Sequence, residues 1–348
     1  MVPALAVAEA LRAEGAQVTF IGGARAEAGL VPAAGFEFHQ LAVEGLSRSN
    51  PLRAVRALAR ATLALPRARS LLAGLEPDAV MGGGGYVAGP VGLAALSLRI
   101  PLVLTEADSH LGLTNRLLAP FAHRVCLAFA LPGRDGPRYR VTGRPVPPTT
   151  NDRARARERF GIEPDETVVL VFGGSLGARS INHAALDAFA EAPFHILHVC
   201  GVRDHDTLLA SPAATRLRVG YDLREYLDLP AFADALAAAD LVVARSGGSV
   251  FEIAAHGVPA ILIPYPHAAA DHQAENARWM AQAGAAVVIA DAELSAGRLR
   301  ASVDELLADR SRLRAMAGAS AGLARPDAAR DVARELIEAA RRPRGSRS

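Results

Sequence analysis

The chain has 348 residues, of which 51% are hydrophobic and 5% aromatic, with a formal net charge of +2 at pH 7. This length predicts two domains, each with its own core, and the small net charge argues against nucleic-acid binding as a global property. No signal peptide or run of ~20 uninterrupted apolar residues is visible, and Cys126 and Cys200 predict neither a disulfide framework nor a metal site, so we expect a reducing cytoplasm.

Apolar segments that favour strands alternate with Ala-, Leu- and Arg-rich segments of helical periodicity. In chain order, the predicted strands are residues 17–22, 36–42, 79–82, 102–105, 124–127, 138–142, 168–172, 195–200, 217–220, 241–244, 260–264 and 286–289. The predicted helices include residues 4–14, 53–73, 91–98, 113–119, 249–256 and 327–341. This alternation predicts an α/β fold of βαβ units, with two mostly parallel sheets.

The proline-rich segment 143–148 predicts a domain boundary, because clustered prolines stop both helix and sheet. We therefore predict an N-terminal domain over 1–143, a linker over 144–150 and a C-terminal domain over 151–326. A final helix with a basic tail occupies 327–348. The chain begins directly with a helix, without the strand and glycine-rich turn that normally open a doubly wound domain. That first strand is central in such sheets, so we expect an interrupted sheet in this half.

The segment 245–277 is the most informative stretch for function. It passes from a buried strand through Gly247-Gly248 into a helix, and then through a second strand into a loop rich in His, Asp and Gln. In an open α/β sheet, ligands bind at the carboxyl ends of such strands. Backbone amides suit a diphosphate, Glu252 suits ribose hydroxyls, and the polar loop suits a hexose, so the pattern indicates a nucleotide-sugar. Helix-dipole stabilisation of Glu252 is the alternative.

Two further glycine turns follow predicted strands. In 172–179, Ser175 and a helix N-terminus can donate hydrogen bonds to a phosphate; a ligand-free tight turn is the alternative. In 81–90, four consecutive glycines favour close approach to a bulky anion, and a flexible hinge is the alternative.

Three segments leave two interpretations open each. In 105–110, Glu106, Asp108 and His110 can supply a base or bind a ligand, or the segment can simply cap a helix. His267, Asp271 and His272 can be read as metal ligands, but no matching cluster of Cys or carboxylates lies nearby, so we predict no metal. The helix over 51–69 is apolar and basic without an acid, which fits either a helix lying on anionic lipid or an ordinary surface helix.

Together these motifs resemble the MurG family of inverting glycosyltransferases, which make the peptidoglycan precursor lipid II. The resemblance covers essentially the whole chain. Six motifs occur in the family's order and at close to its spacing: PALAVA at 3–8, the glycine run at 82–90, GLTN at 112–115, GGSLGAR at 173–179, RSG…E at 245–252 and P…HQ…N at 264–276. The resemblance implies a GT-B fold, in which two Rossmann-like parallel-sheet domains face each other across a cleft.

By this resemblance, the protein transfers N-acetylglucosamine from UDP-N-acetylglucosamine to the C4 hydroxyl of lipid I, undecaprenyl-pyrophosphoryl-MurNAc-pentapeptide. It does so without a cofactor, as a peripheral protein on the anionic cytoplasmic face of the cell membrane. The implied donor-binding residues are Ser175, Gly248, Ser249, Val250, Phe251, Glu252, His272, Gln273 and Arg144. The implied acceptor-binding residues are Gly83, Gly84, Gly85, Tyr86, Asp108 and Asn115. The implied membrane-facing residues are Arg53, Arg56, Arg60, Arg67 and Arg69.

The chain departs from the family pattern at several positions. The first motif, which carries the candidate catalytic His, is absent, so no base is assigned and Asp108 and His110 are the candidates. Segment 105–108 reads TEAD where the family has HExN, Arg144 stands in for a linker arginine, and 245–252 is one residue short. We expect an in-frame strand and Gly-rich loop to be encoded upstream of Met1. A chain truly starting at Met1 is predicted to fold poorly and to lack activity.

Two alternative functions stay open at this point. One is another GT-B enzyme with a lipid acceptor such as diacylglycerol, and the other is an inactive protein that binds a nucleotide-sugar. A nicotinamide dehydrogenase is disfavoured, because neither half contains Gly-x-Gly-x-x-Gly followed by an acid about 20 residues later.

Overall fold

The computed structural model describes residues 1–24, 27–43, 51–174, 176–268 and 271–341, and over 51–62 it describes the backbone alone. The chain divides into two compact units. Unit 1 comprises residues 1–146 together with 325–348, and unit 2 comprises residues 147–324. The final segment over 327–348, which the resemblance implies crosses back to the first domain, is grouped with unit 1.

The strands are short and mostly apolar, as buried parallel sheets require. In chain order they are β1 (Thr19–Gly22), β2 (Glu37–Gln40), β3 (Val80–Gly82), β4 (Leu102–Glu106), β5 (Arg124–Leu127), β6 (Tyr139–Val141), β7 (Val168–Phe172), β8 (His195–Val199), β9 (Tyr221–Arg224), β10 (Leu241–Ala244), β11 (Ala260–Leu262) and β12 (Ala286–Val288).

The helices alternate with these strands, which confirms the predicted βαβ pattern. They are α1 (Val2–Ala13), α2 (Glu27–Ala33), α3 (Pro51–Leu75), α4 (Ala88–Ser97), α5 (Leu113–Leu118), α6 (Arg153–Arg159), α7 (Arg179–Phe189), α8 (His205–Leu209), α9 (Leu229–Ala238), α10 (Val250–Ala255), α11 (His272–Gln282), α12 (Ala296–Ala308), α13 (Arg310–Gly322) and α14 (Ala328–Ala340).

Unit 2 is built on one parallel sheet with the strand order β12-β11-β10-β7-β8-β9. Numbered from β7, this is the 3-2-1-4-5-6 order of doubly wound folds that bind nucleotides. From β7 the chain adds β8 and β9 on one side of the sheet and then adds β10, β11 and β12 on the other. The strand order therefore reverses between β7 and β10, which are direct parallel neighbours. A ligand crevice is therefore expected at the carboxyl ends of these two strands. One face of the sheet packs on α7 and α12 through side chains such as Val171, Ile181, Val243 and Leu299.

Several helices of unit 2 begin at a residue whose side chain accepts a hydrogen bond from a backbone amide of the first turn. Asp152, Asp228, Ser295 and Asp309 each accept a hydrogen bond from the amide three residues later, at the starts of α6, α9, α12 and α13. Each such cap contributes about 1 kcal/mol. These caps fix where the helices start and therefore where the preceding loops end.

Unit 1 contains two separate parallel sheets among its described residues. One pairs β1 with β2, and the other has the order β3-β4-β5-β6. The sequence predicts such an interrupted sheet for this half. The last helix, α14, packs on α1 and β4, and its Val332 joins Val7 and Val103 in one apolar cluster.

One predicted strand is wrong. The sequence predicts a strand over 217–220, whereas the strand of this region is β9, which begins at Tyr221. Leu217 ends a 3-10 turn and packs against the cluster of Leu208 and Ala213. Gly220 has a φ of +101°, outside the β region. Leu217 is therefore apolar because it anchors a turn, and pairing with β8 begins only after Gly220.

Among the described residues, no helix combines the length and apolar character needed to cross a bilayer. Both cysteines are buried free thiols. Burial is the largest cause that raises the pKa of Cys126 to about 12 and that of Cys200 to about 11. Neither thiol is therefore poised to ionise near neutral pH.

Candidate functional site

The loop after β7, residues 173–178, packs too closely for a side chain at one position. Gly177 has a φ of +78°, and a Cβ there would lie 2.1 Å from the carbonyl oxygen of Cys200. The loop therefore lies directly on the chain that leaves β8, and α7 begins behind it at Arg179. Such a turn presents backbone amides to an anion. Ser175, the predicted phosphate ligand, lies outside the described residues.

A buried polar chain behind this loop fixes its position. Asn182 of α7 donates to the Cys200 carbonyl oxygen at 2.8 Å and to the Asp204 carboxylate at 2.9 Å. The Asn182 side-chain oxygen accepts from His198 Nε2 at 3.1 Å, and His198 Nδ1 accepts from the Tyr221 hydroxyl at 2.8 Å. Burial lowers the pKa of His198 to about 3, so the ring is neutral at physiological pH. Every partner in this chain is matched, which selects one tautomer of His198.

Side-chain hydrogen bonds tie the loops after β10 and β11 together. Ser246 donates to the backbone oxygen of Gln273 at 2.7 Å, and Asn276 donates to the backbone oxygen of Ser246 at 3.0 Å. The side-chain oxygen of Gln273 accepts from the Tyr265 amide at 2.9 Å. Because that bond occupies the oxygen, the NH₂ group of Gln273, which lies beside Gly247, is the half that can donate to a ligand.

The predicted donor-binding residues in α10 and directly before it fall into two groups. Gly248, Ser249 and Glu252 are partly exposed, and Glu252 lies in the first turn of the helix. Val250 and Phe251 are buried, so their side chains belong to the core. For these two residues, only the backbone is left for the predicted contact.

The remaining predicted donor-binding residues lie in different units. His272 is half-buried and is the first residue of α11 in unit 2, directly after Asp271, which has a left-handed φ of +56°. Arg144 is half-buried in unit 1. There, burial first and the charge of Arg144 second lower the pKa of the Met1 amino group.

The metal interpretation of the loop after β11 gains no support. The His267 ring packs edge-on against the Tyr265 ring, with centroids 5.5 Å apart. Across the described part of the chain, no group of three or more His, Cys, Asp or Glu side chains is arranged to hold an ion.

In unit 1 the glycine run follows β3 and leads into α4. Gly84 and Gly85 have left-handed φ values of +77° and +74°. Gly83 and Gly85 are exposed, and Tyr86 is half-buried. Thr114 donates to the Gly85 carbonyl oxygen at 3.1 Å, which fixes the run against the start of α5. The run is therefore an open backbone surface at the carboxyl end of β3.

The acid at the end of β4 organises the loop that follows it. One oxygen of the buried Glu106 carboxylate accepts from the next two backbone amides, at 3.0 and 3.2 Å. The other accepts from the Gly112 amide at 2.8 Å and from the Asn115 side chain at 2.9 Å. With four donors, this carboxylate is engaged in holding the loop. The half-buried Asp108 and His110 are therefore the better candidates for acid–base chemistry in this loop.

Asn115, a predicted acceptor-binding residue, is almost completely buried. Besides its bond to Glu106, its amide nitrogen donates to the Thr105 carbonyl oxygen at 2.9 Å. Its side-chain oxygen has no hydrogen-bond partner among the described residues. The nitrogen lies beside Gly84, where a Cβ would be 3.8 Å away. Any contact with a ligand would use the side-chain oxygen, and this role stays a prediction.

The predicted membrane-facing helix is present as α3. The side chains of Arg53, Arg56 and Arg60 lie outside the described residues, whereas Arg67 and Arg69 are exposed. Arg69 donates to the Ser97 hydroxyl of α4 at 2.5 Å, so its guanidinium partly serves to join α3 to α4.

An exposed apolar surface of unit 1 was not predicted from the sequence. Leu113, Leu117 and Phe121 recur every four residues along α5 and the 3-10 turn that follows it. They are 48%, 63% and 68% exposed, which indicates one continuous apolar face on this segment. Arg116 is exposed beside this face.

The sequence also assigned no role to three residues that join the loops of unit 2, namely Ser180, Arg245 and Asp291. The one available signal was Arg245 itself, a charged residue placed directly after an entirely buried apolar strand.

Comparison with known proteins gives consistent results for both halves. The model of the glycosyltransferase family 28 N-terminal domain matches residues 1–127, and that of the family 28 C-terminal domain matches residues 168–332. The chain is 41% identical to a UDP-N-acetylglucosamine–N-acetylmuramyl-(pentapeptide) pyrophosphoryl-undecaprenol N-acetylglucosamine transferase of Moorella thermoacetica, over 97% of this chain and 95% of the relative. It is 39% identical to the protein of the same name from Rubrobacter xylanophilus, over 97% of this chain and 100% of the relative.

Among solved structures, the chain is similar to the crystal structure of Acinetobacter baumannii MurG. The TM-score is 0.74 at 30% identity, over 97% of this chain and 95% of that one. With the family matches, this confirms the predicted GT-B class, in which each half is a Rossmann-like α/β domain with parallel strands.

Proposed function

The chain belongs to the MurG family of glycosyltransferases, and we propose that it transfers N-acetylglucosamine from UDP-N-acetylglucosamine to the C4 hydroxyl of lipid I. The product is lipid II, the precursor for cell-wall synthesis. The names of relatives at 39–41% identity over nearly the whole chain support both substrates.

The observation that carries the donor assignment is the clustering of three kinds of group at one edge of the unit 2 sheet. The loop over 173–178 offers amides that suit a diphosphate. Glu252, in the first turn of α10, suits the ribose hydroxyls, and the backbone around Gly248–Phe251 suits the uridine. The NH₂ group of Gln273, with His272 beside it, suits the hydroxyls of the sugar.

The reaction needs a base and a stabilised leaving group. The base removes the proton of the acceptor C4 hydroxyl, whose oxygen attacks C1 of N-acetylglucosamine from the face opposite UDP. The bond between C1 and the β-phosphate oxygen breaks, and its electron pair leaves with UDP. The amides of 173–178, the start of α7 and Ser175 are suited to stabilising that charge, with Arg144 as a further candidate.

The acceptor side is assigned to the loops after β3 and β4 in unit 1. The open backbone of Gly83–Gly85, next to Tyr86, suits the pyrophosphate of lipid I. Asp108 and His110 are the proposed sources of a base, because Glu106 is committed to four hydrogen bonds.

We also assign unit 1 to the membrane surface, which places the protein peripherally on the cytoplasmic leaflet. The exposed Arg67 and Arg69 suit anionic headgroups. The apolar face of Leu113, Leu117 and Phe121 suits insertion into the interface between headgroups and acyl chains.

A transfer assay with sugar-labelled UDP-N-acetylglucosamine tests this proposal. We expect label to move to a lipid I analogue and not to diacylglycerol. Transfer to diacylglycerol in place of lipid I would instead identify another lipid-acceptor transferase. Tight binding of UDP-N-acetylglucosamine with no transfer would identify a nucleotide-sugar-binding protein.

A further inference from the structure

Arg245 is a buried cation at the carboxyl edge of the unit 2 sheet, directly after β10. Its side chain is only 10% exposed. A charge in this position is costly to bury unless it is paired and hydrogen-bonded. The contacts that satisfy it therefore show what it holds in place.

The guanidinium first engages the chain that leaves β11. Nη1 of Arg245 donates to the carbonyl oxygens of Ile263 at 3.1 Å and Pro264 at 3.2 Å. The guanidinium carbon also lies 5.4 Å from the centre of the Tyr265 ring. The backbone amide of Tyr265 is the donor that fixes the Gln273 side chain. Arg245 thus holds the residues that orient Gln273.

A second set of contacts reaches the loop after β12 and the first turn of α7. Nη1 forms an ion pair with Asp291 Oδ1 at 2.6 Å, and Nη2 donates to the Ser180 hydroxyl at 2.8 Å. Ser180 in turn donates to the same Asp291 oxygen at 2.8 Å. The three side chains form a closed triangle, so none of them can shift without breaking two contacts.

We propose that Arg245 is a positioning residue that holds the loops assigned to the nucleotide-sugar in fixed positions relative to one another. It links the starts of four chain segments at the sheet edge: the turn into α7 through Ser180, the 245–252 loop on which it sits, the 263–265 segment, and the turn at Asp291. This inference rests on the proposed function, because two of these segments carry groups assigned to UDP-N-acetylglucosamine and a third, 263–265, orients Gln273.

Lysine cannot replace arginine in this role. The planar guanidinium presents two nitrogens in a fixed fork, which here serves two carbonyl groups, a carboxylate and a hydroxyl together. An ammonium group is a single point of charge, and it can keep the ion pair while losing the bond to Ser180 or those to 263–264. Arg245→Lys is therefore the informative variant.

The chain offers a closely matched control at the opposite end of the same sheet. Arg157 is also buried, and its Nη1 donates to the carbonyl oxygens of Glu163 and Pro164, while its Nη2 pairs with Asp240 at 3.0 Å. Asp240 immediately precedes β10, so this cluster lies at the amino end of the strands. Arg157→Lys perturbs the same kinds of contact far from the proposed donor loops.

The experiment compares the full chain with its Arg245→Lys and Arg157→Lys variants by calorimetric titration with UDP-N-acetylglucosamine and by thermal unfolding. We expect both variants to lose similar thermal stability. Arg245→Lys should raise the Kd for UDP-N-acetylglucosamine at least tenfold, whereas Arg157→Lys should leave it within about twofold. In the transfer assay, the donor KM of Arg245→Lys should rise and the lipid I KM should not.

Hydrogen exchange of the same proteins provides a readout that does not depend on the donor. Faster exchange over 246–252, 263–268 and 272–277 in Arg245→Lys, but not in Arg157→Lys, supports the positioning role. Equal donor affinities and equal exchange in the two variants would overturn it. If the unmodified protein does not bind UDP-N-acetylglucosamine, the proposed function fails, and the exchange result still decides whether Arg245 orders these loops.

Ser180→Ala is the second variant, in case Arg245→Lys does not fold. It removes the two contacts of the triangle that Ser180 makes but keeps the ion pair of Arg245 with Asp291, so no buried charge is left unpaired. We expect Ser180→Ala to lose less donor affinity than Arg245→Lys. The double variant should lose less than the sum of the two single losses. Strict additivity of the two losses would contradict a shared role.

Discussion

Glu335 and Arg124 form a 2.6 Å hydrogen-bonded ion pair that fastens α14 to β5 of unit 1. Arg140, at β6, donates to the other oxygen of the same carboxylate, also at 2.6 Å. The Glu335 side chain is only 3% exposed. Burial opposes its ionisation, but the two arginine hydrogen bonds outweigh burial and hold the pKa of Glu335 below its usual value of 4.5.

We therefore expect Glu335→Gln to lower the free energy of unfolding by about 2 kcal/mol, because hydrogen bonds to a charged, buried group are lost. Arg334→Gln, on the same helix, is the control, since its pair with Asp331 is exposed and worth less than about 0.5 kcal/mol. Urea unfolding of the three proteins measures both values. Equal stability of the two variants would contradict the assigned role of Glu335.

The same pair predicts an acid sensitivity of known sign. The folded-state pKa of Glu335 is depressed, so its contribution is present above the unfolded value of 4.5 and is lost as the pH falls through the lower folded value. The stability difference between the unmodified protein and Glu335→Gln should therefore shrink as the pH falls below 4.5. Urea midpoints measured from neutral pH into this range test the trend, and a difference that grows in acid would refute it.

A second pH dependence is predicted for His198. Burial lowers its folded-state pKa from the ordinary value of 6.5 to about 3, so below pH 6.5 the unfolded chain binds the extra proton. Stability should fall as the pH drops through 6.5, by about 2 kcal/mol between ~pH 7.5 and ~pH 5. His198→Gln can keep the donor to Asn182 without titrating, and should flatten this part of the profile. His183→Gln, at an exposed position on α7, is the control for the substitution itself.

The assignments of Glu252 and Gln273 predict different ligand selectivity. Glu252→Gln should weaken binding of both UDP and UDP-N-acetylglucosamine by roughly tenfold or more, because the proposed ribose contact is common to both. Gln273→Glu keeps an oxygen for the Tyr265 amide but removes the NH₂ donor. It should weaken only UDP-N-acetylglucosamine, with UDP affinity within about twofold. Calorimetric titration measures all four affinities, and equal losses for both ligands in Gln273→Glu would refute its contact with the sugar.

The apolar face of α5 predicts membrane binding by unit 1. Replacing Leu117 and Phe121 together with Ser should weaken binding to vesicles containing phosphatidylglycerol by roughly 100-fold, because about 3 kcal/mol of apolar burial is lost. Val219→Ser is the control, since Val219 is a fully exposed apolar residue of unit 2. Co-sedimentation with vesicles measures the effect. Unchanged binding of the double variant would assign membrane contact to another surface.

The sequence predicted the βαβ frame and the glycine turns because these features are local. The strand over Val168–Phe172 is a continuous apolar run, and its structure matches the prediction residue for residue. Leu217 is equally apolar, but it anchors a turn, because Leu208 and Ala213 and the φ of Gly220 determine its place. A pattern of hydrophobicity does not distinguish these two cases.

The roles that the sequence missed depend on partners far away in the chain. Glu106 looked like a candidate base, but its four hydrogen-bond donors show that it holds its loop. Arg245 reaches Ser180, 65 residues earlier, and Asp291 on a different strand end. Composition and spacing identify which groups gather at a sheet edge, and only the fold shows which of them are already occupied by other residues.

The stereochemistry of the transferred sugar tests the central claim most directly. The purified protein is incubated with UDP-N-acetylglucosamine and a soluble lipid I analogue, and the disaccharide product is examined by proton NMR and mass spectrometry. An inverting transferase that acts on the α-linked donor predicts a β-linked N-acetylglucosamine on the C4 oxygen of the muramic sugar, with one UDP released per linkage formed. An α-linked product, a linkage at another oxygen, or UDP release without a new disaccharide would contradict the account.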